Sequence, residues 1–241
     1  MESRGSPKLN ENEVHIWSAS LLEDKNNMDY LYSVLSEDER ERANSFRFFK
    51  DQRRFTITRG ILRCLLSDYL AQPPENIEIV YGLWGKPCLP GEESLHFNVS
   101  HSRDYALYGV TQNYEVGLDL EYIDKDLDLE NMAPHVFSPA ELTNWKNLAH
   151  QERVDTFFTR WVSREAFLKA LGKGWLEDKK ELEFYGKNSF KKGDLNNEVK
   201  NLYCFECIPE YASALFIEGT LLRPVHYSWD QSNLTFSGDS K

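Results

Sequence analysis

The chain has 241 residues, 41% hydrophobic and 13% aromatic, which excludes a disordered protein and leaves ample material for one large domain or two modest ones. A net charge of −11 and a pI of about 5.1 argue against generic nucleic-acid binding. No apolar run reaches the length of a membrane span and the opening MESRGSPKLNENE is polar, so the expectation is a soluble, cytoplasmic protein without a secretory signal or membrane contact.

Residues 1–12 read as a loose arm and VHIWSASL, 14–21, as a strand. SEDE at 36–39 has the capping-box spacing, Ser36 with Glu39, and opens a short helix. The next helix is expected from about Asp51 to Tyr69, with Phe55, Ile61, Leu62, Leu65 and Tyr69 as its apolar stripe. It is strongly basic: Arg47, Lys50, Arg53, Arg54, Arg59 and Arg63 stand against Asp51 alone between Phe46 and Leu66. Such an excess in an acidic protein marks either a candidate anion site or a solvated face. The Pro pair in AQPPENI ends the helix. IEIVYG then reads as a strand leading into the loop WGKP, 84–87, which carries Lys86.

LHFNVS, 95–100, and YALYGVT, 105–111, are expected as strands joined by the turn HSRD, and VGLDLEYI, 116–123, as a third. SPAE at 138–141 repeats the helix-start pattern, with Pro139 at the first helical position. A longer helix is expected over about 151–172, closed by Gly172 or Gly174. YCFECI and ASALFIEG read as further strands before a polar tail. This order gives an α+β protein of two similar halves, 1–112 and 113–241. Cys64, Cys88, Cys204 and Cys207 are read as reduced, buried thiols, since CFEC stands alone in an apparent strand. His15, His96, His135, His150 and His226 lack ligand-like spacing and are read as structural or surface residues. Trp84 and Phe97 are read as core.

The chemistry gathers around EVGLDLEYID, 115–124. Residues two apart on a strand share a face, so Asp119 and Glu121 stand side by side and their charges repel. On the 160–174 helix, Glu165 and Lys169 are four apart and share a face, with Trp161 one turn earlier. Alone, that pair reads as an ordinary surface ion pair. Together, the three carboxylates form a hard oxygen site suited to Mg²⁺, or to Mn²⁺ in its place. The basic helix and Lys86 offer charge for phosphates, and Ser100 and His101 add polar contacts. The pattern points to metal-assisted attack at phosphorus.

FNVSHS at 97–102, VGLDLE at 116–121 and WVSREAFLKALGKG at 161–174 resemble the three motifs of the Sfp-type 4′-phosphopantetheinyl transferases. FRFFKDQRRFTITRGILR, 46–63, and GKP, 85–87, are similar to the same family, and the likeness runs in order from about residue 36 to 175. The resemblance implies a pseudo-dimer of two similar α/β halves with the active site at their interface. It implies transfer of the phosphopantetheine arm of coenzyme A to a serine of an apo acyl, peptidyl or polyketide carrier protein, releasing 3′,5′-ADP. By motif, Asp119, Glu121 and Glu165 would hold Mg²⁺, Glu165 would serve as general base, and Lys169 would stabilise the pyrophosphate. Arg54, Lys86, Ser100 and His101 would grip the nucleotide end of coenzyme A, with Arg47 or Arg53 sharing the 3′-phosphate. EDERER, 37–42, stands where some relatives place lysines, and Val162 where a small polar residue is frequent. A monomer is implied, and a carrier-docking patch, apolar with local basic residues, is expected near the 151–175 helix. Two other readings stand beside this one: another Mg²⁺-dependent phosphoryl-transfer enzyme such as a nuclease, and a non-catalytic binder of coenzyme A or carrier proteins. No P-loop pattern is present.

Overall fold

A computed structural model describes residues 8–22, 25–91, 94–172, 182–184, 190–192, 201–218 and 222–229. In chain order it runs through β1 (Glu13–Ser20), α1 (Lys25–Ser33), α2 (Glu37–Ser45) and α3 (Phe49–Leu70). The hairpin β2 (Val80–Tyr81) and β3 (Pro87–Cys88) precedes β4 (Leu95–Ser102), β5 (Tyr105–Gln112) and β6 (Val116–Tyr122). Then come α4 (Leu129–Val136), α5 (Pro139–Lys146), α6 (His150–Ala170), β7 (Leu182–Phe184), β8 (Phe190–Lys192), β9 (Leu202–Phe205), β10 (Tyr211–Ile217) and β11 (Arg223–Ser228).

Two sheets and two long helices organise these elements as an α+β fold of two halves. The first sheet has the order β11-β1-β5-β4 and the second β6-β10-β9. Within the first, β1 alternates its faces: Trp17 and Ala19 join Ile57, Ile61, Leu62 and Leu65 of α3 in one core, while Val14 and Ile16 turn the other way. There they meet Leu107, Leu118, Leu120, Leu215 and Ile217, so the two sheets share a second core. α6 covers the far side of β6 and β10, with Val162, Ala166, Phe167 and Ala170 against Ala214 and Phe216. A Cβ on Gly117 of β6 would lie 1.8 Å from the Ala166 carbonyl oxygen. Only glycine permits that approach of helix to strand.

Both expected capping boxes form. Ser36 N–H donates to Glu39 Oε2 at 3.2 Å at the start of α2, and Ser138 N–H to Glu141 Oε2 at 2.8 Å at the start of α5. Gly172, at φ +61°, closes the chain after α6, while Gly174 lies outside the described residues. The expected IEIVYG strand contracts to Val80–Tyr81; Trp84, Gly85 and Lys86 of WGKP lie in the turn of the β2–β3 hairpin and Pro87 opens β3. There Trp84 is 53% exposed, which corrects its reading as core. Phe97 is buried as expected. α4 carries Pro134 inside a single short helix, and its start at Asp128, whose side chain accepts from Asn131 N–H, was not anticipated. The cysteines are all free, but Cys88 and Cys207 are exposed. Cys204 lies on β9 and Cys207 beyond its end, so the pair does not share a strand.

Candidate active site

β6 presents two unlike faces. Leu118 and Leu120 are fully buried between the sheets, which turns Gly117, Asp119 and Glu121 toward α6. From α6 come Trp161, Glu165 and Lys169, successive turns of one face. β4, from the other half, brings Val99, Ser100 and His101. These groups line one pocket of about 310 Å³ between the halves.

Lys169 Nζ donates to Asp119 Oδ1 at 2.6 Å and to Ser100 Oγ at 2.9 Å. Thus the ammonium is paired across to β6 and β4, and its partner is not simply the Glu165 four residues before it. Ser100 Oγ also donates to Asp119 Oδ1 at 2.8 Å and accepts Leu120 N–H at 3.2 Å. Its one donor and two acceptor positions are therefore all in use. Ser102 Oγ donates to Glu121 Oε2 at 2.8 Å. Burial, and next the Asp119 charge, push the Glu121 carboxyl up to about 7, against the Ser102 hydrogen bond and the Lys169 charge, which lower it. His101 keeps an exposed face at the pocket. Partial desolvation, followed by the positive charges of Lys169 and Arg54, holds its pKa below the usual value, against the pull of Asp119.

Other candidates lie further out. Arg54 donates to Asp104 Oδ1 at 3.2 Å and acts on His101 through its charge. Its Nε is buried without a hydrogen-bond partner among the described residues. Arg47 precedes α3, exposed, with its guanidinium 5.4 Å from the Phe48 ring centroid. Lys86 lines a neighbouring pocket of about 320 Å³ with Gly82, Pro87, His96, Phe97 and Glu115. Its ammonium pairs with Glu115 and donates to the Ala170 carbonyl at 3.1 Å, just past Lys169 on the same helix. The basic excess of α3 is smaller than the sequence suggests. Arg59 and Arg63 are buried and both donate to Glu39, at 3.0 and 2.5 Å, so they belong to the core.

The donor set suits a hard divalent cation. Asp119 is 3% exposed and its Oδ2 has no hydrogen-bond partner among the described residues. Asp119 and Glu165 both raise the Glu121 pKa, so the pocket holds more acid than it can ionise comfortably. Among the described residues no three His, Cys, Asp or Glu side chains form a preformed cage. The carboxylates would close on an ion whose remaining positions are filled by water and phosphate, the usual habit of Mg²⁺. The residues fit that group.

The sequence reading passed over Asn98 and Ser102. Asn98 Oδ1 accepts Leu118 N–H at 2.9 Å, and Ser102 Oγ accepts Tyr122 N–H at 3.1 Å. The available signal was three polar residues, Asn98, Ser100 and Ser102, at the two-residue period of a strand with apolar neighbours.

Comparison with known proteins agrees in both halves. A family model described as the 4′-phosphopantetheinyl transferase superfamily matches residues 115–214, and one described as 4′-phosphopantetheinyl transferase, N-terminal, matches residues 17–112. The chain is 40% identical over 165 residues to 4′-phosphopantetheinyl transferase HetI of Nostoc sp., covering 67% of this chain and 70% of that protein. It is 34% identical over 156 residues to 4′-phosphopantetheinyl transferase psf-1 of Bacillus pumilus, with 64% and 66% covered. To 4′-phosphopantetheinyl transferase Sfp of Bacillus subtilis it is 29% identical over 142 residues, with 59% and 62% covered.

Proposed function

This chain belongs to the 4′-phosphopantetheinyl transferase superfamily, and on that premise we propose that it transfers the phosphopantetheine arm of coenzyme A to a serine of an apo carrier protein, releasing 3′,5′-ADP. The observation that supports this most directly is the single pocket in which Asp119, Glu121, Glu165 and Lys169 from one half meet Ser100 and His101 from the other. Neither a nuclease, which would need an extended basic groove, nor a catalytically silent binder, which would not need that acid cluster, accounts for it as well.

The reaction forms a bond from the carrier serine oxygen to the β-phosphorus and breaks the bond from that phosphorus to the oxygen bridging to the α-phosphate. Asp119, Glu121 and Glu165 would hold Mg²⁺, which when bound supplies Lewis-acid stabilisation of the pyrophosphate. Glu165 takes the serine proton, directly or through water. Lys169, anchored on Asp119 and Ser100, sets a positive charge near the pyrophosphate, where charge develops on the α-phosphate oxygen of the departing 3′,5′-ADP. His101 and Arg54 receive the nucleotide phosphates, with Lys86 and Arg47 as more distant contributors. A phosphate bound beside His101 would raise the imidazole pKa that burial, Lys169 and Arg54 hold down.

The carrier is proposed to dock where α3 begins. Phe48 and Phe49 are 54% and 66% exposed there, beside Arg47 and Lys50, an apolar and basic surface on an otherwise acidic protein. The free thiols fit the reducing cytoplasm, no helix among the described residues is long and apolar enough to cross a membrane, and the working form is taken to be a monomer.

The experiment is the intact mass of an apo acyl carrier protein after incubation with this protein, coenzyme A and Mg²⁺. The expected gain is one phosphopantetheine arm, absent with EDTA. Asp119→Ala and Glu165→Gln should each fall below about 1% of wild-type transfer. No gain with acyl, peptidyl or polyketide carriers would overturn the proposal.

A further inference from the structure

β4 and β6 are edge strands of different sheets, yet they run side by side without a backbone ladder between them. Three β4 side chains take its place. Asn98, Ser100 and Ser102 accept the N–H groups of Leu118, Leu120 and Tyr122, every second residue of each strand. The seam satisfies backbone donors that would otherwise lie unpaired at the junction of the halves.

The three steps of this seam are not chemically alike. Asn98 lies opposite the step that contains Gly117, and its carbonyl oxygen serves as an acceptor. Opposite the two acidic steps stand hydroxyls, and each performs two tasks. Ser100 accepts the N–H of Leu120 and donates to Asp119; Ser102 accepts the N–H of Tyr122 and donates to Glu121. In both cases the serine ties a carboxylate to the backbone N–H of the next residue on the same strand. An acceptor alone would stitch the halves together, as Asn98 does. The added donor bond acts on the acid.

Asp119 has a second tether in Lys169, whereas Glu121, with a longer side chain, has none. Among the described residues Ser102 is the one hydrogen-bond partner of its carboxylate. That bond takes Oε2 and leaves Oε1 without a hydrogen-bond partner among the described residues, on a side chain that lines the pocket.

We propose that Ser102 is a positioning residue for this site: its hydroxyl, held by Tyr122 N–H, fixes the Glu121 carboxylate so that one oxygen remains available to a divalent cation. The inference rests on the reading of the pocket as a metal and pyrophosphate site. Outer partners of metal-binding carboxylates act in this way, and losing one typically weakens metal affinity by about 10- to 100-fold.

The test is Mn²⁺ binding, followed by electron paramagnetic resonance in the presence of coenzyme A, for the full-length wild type, Ser102→Ala, Ser102→Thr and Asn98→Ala, with a thermal melt of each. Ser102→Ala should bind Mn²⁺ about tenfold more weakly. Ser102→Thr, which keeps the hydroxyl, should stay within about threefold of wild type. Asn98→Ala breaks the seam away from either acid; it should melt earlier yet bind Mn²⁺ within about twofold of wild type. If Ser102→Ala does not melt cooperatively, Ser102→Cys, of similar size but a weak donor, is judged by the same criterion. Equal affinity in wild type and Ser102→Ala would overturn the inference alone, as would an equal loss in Asn98→Ala. A wild type that binds no Mn²⁺ would overturn the metal reading and this inference with it.

Discussion

Glu121 stands where its own charge is unwelcome: burial and then Asp119 hold its pKa at about 7, well above the ordinary 4.5. The native protein therefore keeps a proton that the unfolded chain would release. Stability from this group is complete below about pH 4.5 and is lost as pH rises through about 7. Glu121→Gln should flatten that decline and raise the melting temperature at pH 8 by about 2 °C or more. The same substitution should remove nearly all transfer. A melt series from pH 5 to pH 8, run beside the mass assay, checks both. Divalent cation, by stabilising the ionised form, should reduce the pH dependence of the wild type. The opposition of stability and activity at one side chain is the usual mark of a site arranged for a ligand it does not carry itself.

At the scale of elements, α3 is held by charge inside the protein as much as by its apolar stripe. It is buried almost continuously from Thr56 to Leu66, Arg59 and Arg63 included. Glu39 of α2 accepts from both arginines, and Arg63 also donates to the carbonyls of Pro74 and Ile77. Removing one partner leaves buried charge and carbonyl oxygens uncompensated, at a cost of about 3–5 kcal/mol. Arg63→Met should therefore lower the denaturation midpoint sharply with little change in the denaturant slope. α6 depends instead on closeness. Gly117→Ala would press a methyl into the Ala166 carbonyl, displacing the helix that carries Glu165 and Lys169. Transfer should fall by about tenfold or more, since a misplacement of about 1 Å costs more than that, and the melt should shift downward. Both effects are read from one purified variant.

For the whole molecule, the division of the chain near residue 112 does not separate the two halves completely. β11, from the far end of the chain, pairs in parallel with β1, His15 opposite Val225. Tyr227 stacks on Trp17 with ring centroids 4.5 Å apart, and Trp229 is buried in the same core. The strand covers an edge of the first sheet that would otherwise be open. A chain stopped at residue 218 should lose this closure and melt about 10 °C or more below wild type. Differential scanning calorimetry of the two forms decides it. Because the pocket takes β4 from one half and β6 with α6 from the other, loosening either half should loosen the site.

What the sequence determined by itself was local. Periodicity placed Asp119 beside Glu121 on one strand face and Glu165 above Lys169 on one helix face, because side-chain direction follows from backbone repeat alone. Caps at Ser36 and Ser138 marked helix starts for the same reason: the groups that satisfy a helix end lie within a few residues of it. The tertiary structure decided which of these faces met. It brought Lys169 to Asp119, took Arg59 and Arg63 out of the basic surface into a pair with Glu39, set Lys86 in the adjoining pocket, and returned β11 to β1. It also gave the polar alternation Asn98, Ser100, Ser102 its meaning, as a seam onto β6. Such pairings join residues from about 20 to 210 positions apart. They depend on sheet order and on which edges adjoin, and no short-range repeat carries that information.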